Sequence, residues 1–497
     1  MNFISKLFKS ILLAGALLYI IVYVILAVYR IQYPFELEWQ EGAFVDHVRW
    51  ILSGHRYYDS PSIEFVASIY TPLYFYSSAL LSKITGIGFF PLRLISFVSS
   101  LGSFIIIFLM VRRETENVFS GIIATGLFAA TYNMSGSWFD IGRSDSLFLF
   151  LLLAALYVLR FYDSSVSYLG AGILISLSYL TKQTALVISL PVMLYCVLIK
   201  RRSAVFFIAP IVIIMGLGSI FLNYIHDGWF NYYVFELPRT TPVDYRYLVR
   251  YWTGDILTTM FFAFPVAIFY IISLRLNSNN KNFAFYMLAA IGMIIASWYS
   301  RFRGGGYYNV LMPAYAITSI LFGLGLNKLL EMRESFSADK KHLMKIFIYL
   351  ACIVQFMNGS LIYNPLDQVP TKKDMEAGRK LIGKMSQIKG EVFMPFHGSL
   401  AAMAGKKSYV NMMGMRDVLT TSDKNHQDIK NRFTEELKQA IREKKFAAVI
   451  INSFEPWYPP DLEKYYIKKE KIFDDETVFI PVTGLSTRPE FIYVPKD

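Results

Sequence analysis

Long apolar stretches separated by short polar punctuation set the pattern of this chain. The first, roughly 8 to 29, follows Lys6 and Lys9. At about 20 residues it is long enough to cross a bilayer as a helix. It is longer than a secretory h-region and lacks a small-residue cleavage site, so it predicts a retained signal anchor with a cytoplasmic N-terminus. Further runs at 91–111, 118–137, 144–160, 166–181, 183–199, 204–224, 256–274, 283–299, 308–327 and 344–361 bring the expectation to about 11 transmembrane helices. Alternating from an inside start puts Arg112 with Arg113, the triplet Lys200, Arg201 and Arg202, Arg275 with Lys281, and the basic stretch 328–345 all in the cytoplasm. Cytoplasmic loops collect Lys and Arg, so charge and count agree on one orientation.

The segments left outside are 30–90, 138–143, 181–183, 225–255, 299–307 and everything after about 362. Within the first, the stretch 70–84 is too short and too aromatic for a span. It predicts a helix lying in the membrane interface, with Pro72 in its first turn. The tail changes character: β-like runs at 391–396, 447–452, 478–481 and 491–494 alternate with charged amphipathic helices such as 428–445. The expected architecture is a polytopic α-helical membrane domain over 1–361, then a small extracytoplasmic α/β domain over 362–497. No internal repeat stands out.

Composition narrows the class further. Of 497 residues, 55% are hydrophobic and only 17% charged, against about 25% charged in soluble domains. That much apolar surface excludes a disordered chain. Two cysteines, both inside apolar runs, offer neither a disulfide framework nor a cysteine zinc site. The net charge of +12 belongs with the cytoplasmic loops, and no nucleic-acid partner is expected. No GxxxxGK[ST], HExxH or CxxC pattern supports NTP hydrolysis or zinc chemistry.

Ionisable groups in or beside a membrane are costly and mark function, so the outer charges are the candidates. The first loop carries Glu36, Glu38 and Glu41 in a Phe-Glu-Leu-Glu-Trp-Gln-Glu-Gly run, followed by Asp46, His47 and Arg49. Carboxylates here suit a general base or a metal site, or else an acidic loop with Glu at a helix start. The Trp138-to-Leu147 element holds Asp140, Arg143 and Asp145. Arg143 and Asp145, two apart, cannot face the same way on a helix, so their partners lie elsewhere. Lys182 stands alone between two apolar runs, and Arg301 and Arg303 precede a Gly run, Gly304 to Gly306. Arginine forks match phosphate oxygens, and Gly-rich backbone adds N–H donors, although a snorkelling cation at a helix end is the plainer reading of each.

The chain resembles the GT-C membrane glycosyltransferases of the protein O-mannosyltransferase and aminoarabinose-transferase superfamily (glycosyltransferase family 39-like), more narrowly their bacterial RgtA/B/C/D-like branch. The resemblance rests on Glu38-Trp39-Gln40-Glu41-Gly42, then Ser53-Gly54-His55-Arg56-Tyr57-Tyr58-Asp59, Tyr70-Thr71-Pro72-Leu73-Tyr74, Pro91-Leu92-Arg93-Leu94, the Asp140-to-Asp145 element, and Tyr308-Asn309-Val310-Leu311-Met312-Pro313. It covers about the first 360 residues. The family shows an Asp-Glu pair in the first outer loop. Gln40 stands in place of the Asp and Glu41 matches the Glu, which leaves Glu41 or Glu38 as the base.

The resemblance implies inverting transfer of a hexose or pentose from a polyprenyl-phosphate donor to a glycan, lipid or protein hydroxyl at the outer face of the cytoplasmic membrane. Glu41, Glu38, Asp145 and Asp140 are the expected catalytic carboxylates. Lys182, Arg301 and Arg303, with Arg93 and Arg143 behind them, are expected at the donor phosphate, where cations stabilise the leaving charge. Tyr70, Tyr307, Tyr308 and Asn309 are expected to line the substrate. No cofactor is required and no metal ligand is assigned; a divalent ion stays open. A flippase for an anionic lipid, or a lipid-linked glycan polymerase or ligase, is the alternative; charges bunched at one face favour transfer.

Overall fold

The computed structural model describes residues 2–332, 338–423, 426–452, 459 and 461–497. Every apolar run of the sequence overlaps a helix over most of its length, although the 118–137 run is α-helical only to Ala130 and the 256–274 run only from Ala263. The bundle opens with α1 (Asn2–Ile31), α4 (Phe89–Thr115), α5 (Val118–Ala130), α6 (Asp145–Phe161), α7 (Ser165–Thr181) and α8 (Ala185–Ile199). It continues with Ala204–Ile225, Ala263–Leu276, Asn280–Arg301, Met312–Met332 and Ala338–Phe356. Among the described residues, five helices are long and apolar enough to cross a membrane: Phe3–Ile31, Phe89–Thr115, Ala204–Ile225, Asn280–Arg301 and Tyr308–Met332. Four shorter apolar helices pack among them. The chain is a multi-pass membrane protein. Local chemistry fixes the helix starts: the Asn117 side chain accepts the N–H groups of Phe119 and Ser120, and Ser164 with Ser167 forms a reciprocal cap.

The Met312–Met332 helix is the central post, buried from Met312 to Asn327. Between apolar helices in lipid the hydrophobic effect gives little, and close backbone approach through small residues does the work. A Cβ on Gly323 would lie 2.7 Å from the Ala124 Cβ and 3.1 Å from the Ser120 carbonyl oxygen. On α1 and α5 the contact of Ala16 with Gly126 is closer still, 2.5 Å to the Ala16 Cβ. The end of the bundle carrying the basic loops is pinned by Glu114, which accepts from Tyr286 (2.7 Å) and pairs with Arg160, and by Asn117 to Asn327 at 2.8 Å.

At the opposite end, the loop after α1 folds into two short helices, α2 (Glu41–Leu52) and α3 (Leu73–Thr85). Pro72 precedes α3 as its N-cap, so a helix is present in the expected stretch 70–84, but it runs from Leu73 to Thr85 and Pro72 lies just ahead of its first turn. The tail forms a four-stranded sheet of order β1-β2-β4-β3, made of Val392–Phe393, Ala448–Ile451, Tyr466–Lys471 and Phe491–Pro495 in chain order. β1 runs parallel to β2, and β4 is antiparallel to β2 and to β3. The expected strand at 478–481 is irregular chain. The third strand is Tyr466–Lys471 instead, whose exposed Lys and Glu residues suit a sheet edge.

The tail sits directly on the first loop. Phe44, Val48 and Phe75 share one buried cluster with Phe393, Phe446 and Val449. Polar contacts lock the register: the Val410 N–H donates to the Ile63 carbonyl (3.0 Å), Ser408 to Asp46 (2.6 Å) and the Thr483 N–H to the Leu37 carbonyl (3.1 Å). Because Gly323 has no room for a side chain, Gly323→Val should lower the thermal unfolding temperature of detergent-purified protein by several degrees or abolish its recovery. Gly15→Ala, which meets nothing within 4 Å, should leave it unchanged or raise it slightly.

Candidate active site

Most of the candidate charged residues gather where the first loop crosses the ends of α1, α4, α5 and α6. Arg30, at the end of α1, pairs with Asp140 at 2.9 Å, donates to the Ser137 carbonyl at 3.0 Å and bonds Tyr132. The Tyr132 hydroxyl donates to Asp140 in turn (3.1 Å). Asp140 is thereby tied to the end of the first span.

Glu41 and Arg93 form the most saturated pair. Arg93 Nε and Nη2 lie 2.8 and 2.7 Å from the two oxygens of Glu41, and its remaining bonds go to the carbonyls of Arg30, Tyr33 and Phe35. Glu41 also accepts the N–H groups of Gly142 (2.6 Å) and Leu37 (2.9 Å). Both side chains are fully buried. Burial alone would raise the Glu41 carboxyl pKa, but the Arg93 charge and four N–H donors outweigh it and hold it below the ordinary range. No lone pair of Glu41 and no N–H of Arg93 is directed at open space.

Glu38 is the opposite case. It is equally buried, but among the described residues it accepts only the Gln40 N–H, at 3.2 Å, and stands 3.5 Å from Arg143 Nη1. Burial dominates, and the carboxyl is pushed up to about 8 despite Arg143. Arg143 bonds the Gln40 side chain at 2.7 Å, and its guanidinium lies over Phe44 and Trp138, 4.3 and 4.7 Å from their ring centres. Its Nε is buried without a hydrogen-bond partner among the described residues. Gln40, where the resembled family has an acid, is thus a neutral acceptor for Arg143.

Asp145 opens α6 and accepts from Lys182 Nζ at 2.6 Å and from Asn309 Nδ2 at 2.8 Å through one oxygen. Its other oxygen is buried without a hydrogen-bond partner among the described residues. Tyr70 joins this group to the previous one, its ring 5.6 Å from Lys182 Nζ and 5.9 Å from the Arg143 guanidinium carbon. Tyr308, next to Asn309, lies under Arg301 (4.5 Å), and Tyr307 stacks on Trp138 with ring centres 5.3 Å apart. Glu38, Arg143, Tyr70, Lys182, Asp145, Asn309 and the Tyr307–Tyr308 pair therefore form one continuous site.

Two expected cations stand apart. Arg301 pairs with Asp255 at 2.8 Å and donates to the Gly306 carbonyl at 2.6 Å, so it reaches the site only across Tyr308. Arg303 donates to Tyr299 and to the carbonyls of Thr241 and Arg239, away from the carboxylates. Among the described residues, no group of three or more His, Cys, Asp or Glu is placed to hold a metal ion.

The sequence reading did not single out Arg30, Asp255, Trp138 or the buried pair of Glu36 with His397 as partners in this network. Arg30 and Asp255 did carry a signal, since each is an ionisable residue at the margin of an apolar run. Burial, only partly offset by His397, raises the Glu36 carboxyl.

Residues 70–224 match the family model described as dolichyl-phosphate-mannose-protein mannosyltransferase. That segment carries Tyr70, Arg93, Asp140, Arg143, Asp145 and Lys182 but not Glu38 or Glu41. Among curated proteins no sequence matches. The fold is that of the GT-C glycosyltransferases. The crystal structure of ArnT from Cupriavidus metallidurans bound to undecaprenyl phosphate superposes with a TM-score of 0.58 at 10% identity, over 96% of this chain and 97% of that one. The same protein in the apo state gives 0.59 at 11% identity, with the same coverage.

Removing one member of a buried ion pair strands the other charge, at a cost of about 3–5 kcal/mol. Arg93→Met should therefore strongly destabilise the purified protein in detergent. The double variant Glu41→Gln/Arg93→Met should recover part of that loss, and a thermal-unfolding double-mutant cycle measures the coupling.

Proposed function

We propose that this protein is a membrane glycosyltransferase that moves a sugar from a polyprenyl-phosphate donor to a hydroxyl acceptor. The reading rests on one observation above the others: a buried, under-bonded carboxylate with a raised pKa, Glu38, beside the Arg143–Tyr70–Lys182–Asp145 cluster at one end of a membrane bundle. Likeness in fold to a protein crystallised with undecaprenyl phosphate supports the donor class.

In this mechanism Glu38 is the general base. It takes the proton of the acceptor hydroxyl as that oxygen bonds to the anomeric carbon. The bond from that carbon to the phosphate oxygen breaks, and its electron pair leaves with the polyprenyl phosphate, inverting the centre. Negative charge grows on the departing phosphate, and Lys182 and Arg143 stabilise it there. Asp145, itself held by the Asn309 amide, keeps Lys182 in place. Glu41 and Arg93, with no bonding capacity to spare, are positioning residues that fix the loop carrying Glu38. Arg301 acts at the rim through Tyr308, Asp140 anchors the loop to α1, and Arg303 has no assigned part.

The site faces the extracytoplasmic side of the cytoplasmic membrane in this reading, supported by the basic loops at the bundle's other end. A flippase would need a polar path along the bundle axis. The central Met312–Met332 helix is instead packed and almost wholly buried, which favours transfer chemistry.

Glu38→Gln should cut sugar transfer by about 10²–10⁴-fold, the usual scale for a general base, while the protein still folds. Wild-type transfer should rise as pH passes upward through about 8, where Glu38 loses its proton. Stability should run the other way. A carboxyl whose folded pKa lies above its ordinary 4.5 contributes stability that is full below that value and lost as pH rises through about 8. Glu38→Gln should remove both dependences; transfer rates and thermal unfolding read across that pH window check them.

A further inference from the structure

A cavity beside the site is built by two parts of the chain. Its volume is about 230 Å³, below the roughly 300–1,000 Å³ of pockets for drug-sized ligands and of a size to suit a single sugar ring. One wall is the Asn133-to-Ser137 turn with Tyr307 and Tyr308; the other is the tail loop 481–486 with Gln368. Among the described residues lining it, none carries an acidic or basic side chain. What they offer is amide and hydroxyl groups beside two aromatic rings. The Gln368 amide donates weakly to Asn133 (3.4 Å), while its buried Oε1 has no partner among the described residues.

Two glycines shape the cleft. Gly136 takes φ +70°, and a Cβ there would lie 2.4 Å from the Tyr307 ring. Gly484 takes φ +81°, and a Cβ there would lie 2.8 Å from Glu38 Oε1. Thr483 bridges the backbone of Glu38 and bonds the Gly136 carbonyl. Glu38 does not itself line the cleft; Gly484, which does, leaves no room for a side chain between the cleft wall and the carboxylate assigned as base.

We infer that this cleft binds the acceptor, and that the acceptor is an uncharged sugar whose hydroxyl is presented to Glu38. The inference rests on the transferase reading above and adds the acceptor class and a task for the tail. A phosphorylated lipid head group would find no cation in this cleft. A neutral sugar finds an aromatic face and unpaired amide oxygen. The tail loop is then part of the active site, which explains its direct seat on the first loop.

The test is binding, read by saturation-transfer NMR on the full-length protein in detergent with a panel of neutral methyl glycosides. At least one should bind saturably. Gln368→Leu and, independently, Tyr307→Ala should each weaken it by roughly tenfold, the scale of one lost hydrogen bond at a desolvated site. Glu38→Gln should retain binding while losing transfer. Binding indifferent to both cleft variants, or no glycoside binding alongside capture of a serine–threonine peptide or of phosphatidylglycerol vesicles, would overturn the inference. Glycoside binding in a chain without transferase activity would instead remove the reaction and leave the cleft.

Discussion

The buried pair of Glu41 and Arg93 holds this structure's functional end together. It joins α2 to α4 across 52 positions of sequence, and its remaining donors and acceptors tie down the backbone of Arg30, Tyr33, Phe35, Leu37 and Gly142. A carboxylate and a guanidinium removed from water repay their desolvation only when every hydrogen-bonding position is met, and here each one is. The consequence is a loop with no freedom at its start. Glu38, three residues earlier, inherits a fixed position without inheriting the bonds.

That contrast separates the two carboxylates left open by the sequence. Glu41 is held ionised and saturated; Glu38 is buried, thinly bonded and inclined to hold its proton near neutrality. A base must exchange a proton, and a group already accepting four N–H donors cannot do so without breaking its scaffold. Arg93 differs from Arg143 in the same way. The first spends its donors on the protein, while the second keeps an unpartnered Nε beside aromatic rings. The bond count of each group, more than its charge, sorts scaffold from chemistry.

The bundle was legible in the sequence because lipid imposes a simple rule: apolar runs must be long and helical. The α3 helix of the first loop was legible as well, from Pro72. Pairing was not. Glu41 with Arg93, Lys182 with Asp145 and Arg301 with Asp255 join residues 37 to 52 positions apart, and periodicity carries no information about contacts at that range. The tail misled for a different reason. The apolar 478–481 run packs irregularly against the α/β core, whereas the true edge strand, Tyr466–Lys471, is disguised by its charges. The docking of the tail onto Glu38 through Gly484 left no mark that composition could show.

Envelope glycans and lipid-linked sugars, compared by mass spectrometry between cells with and without this gene, put the transfer reaction to its most direct test. The account predicts that one sugar disappears from the envelope glycans while its polyprenyl-phosphate form accumulates. An unchanged glycan profile, with lipid-linked sugars only redistributed between the two leaflets, would contradict it.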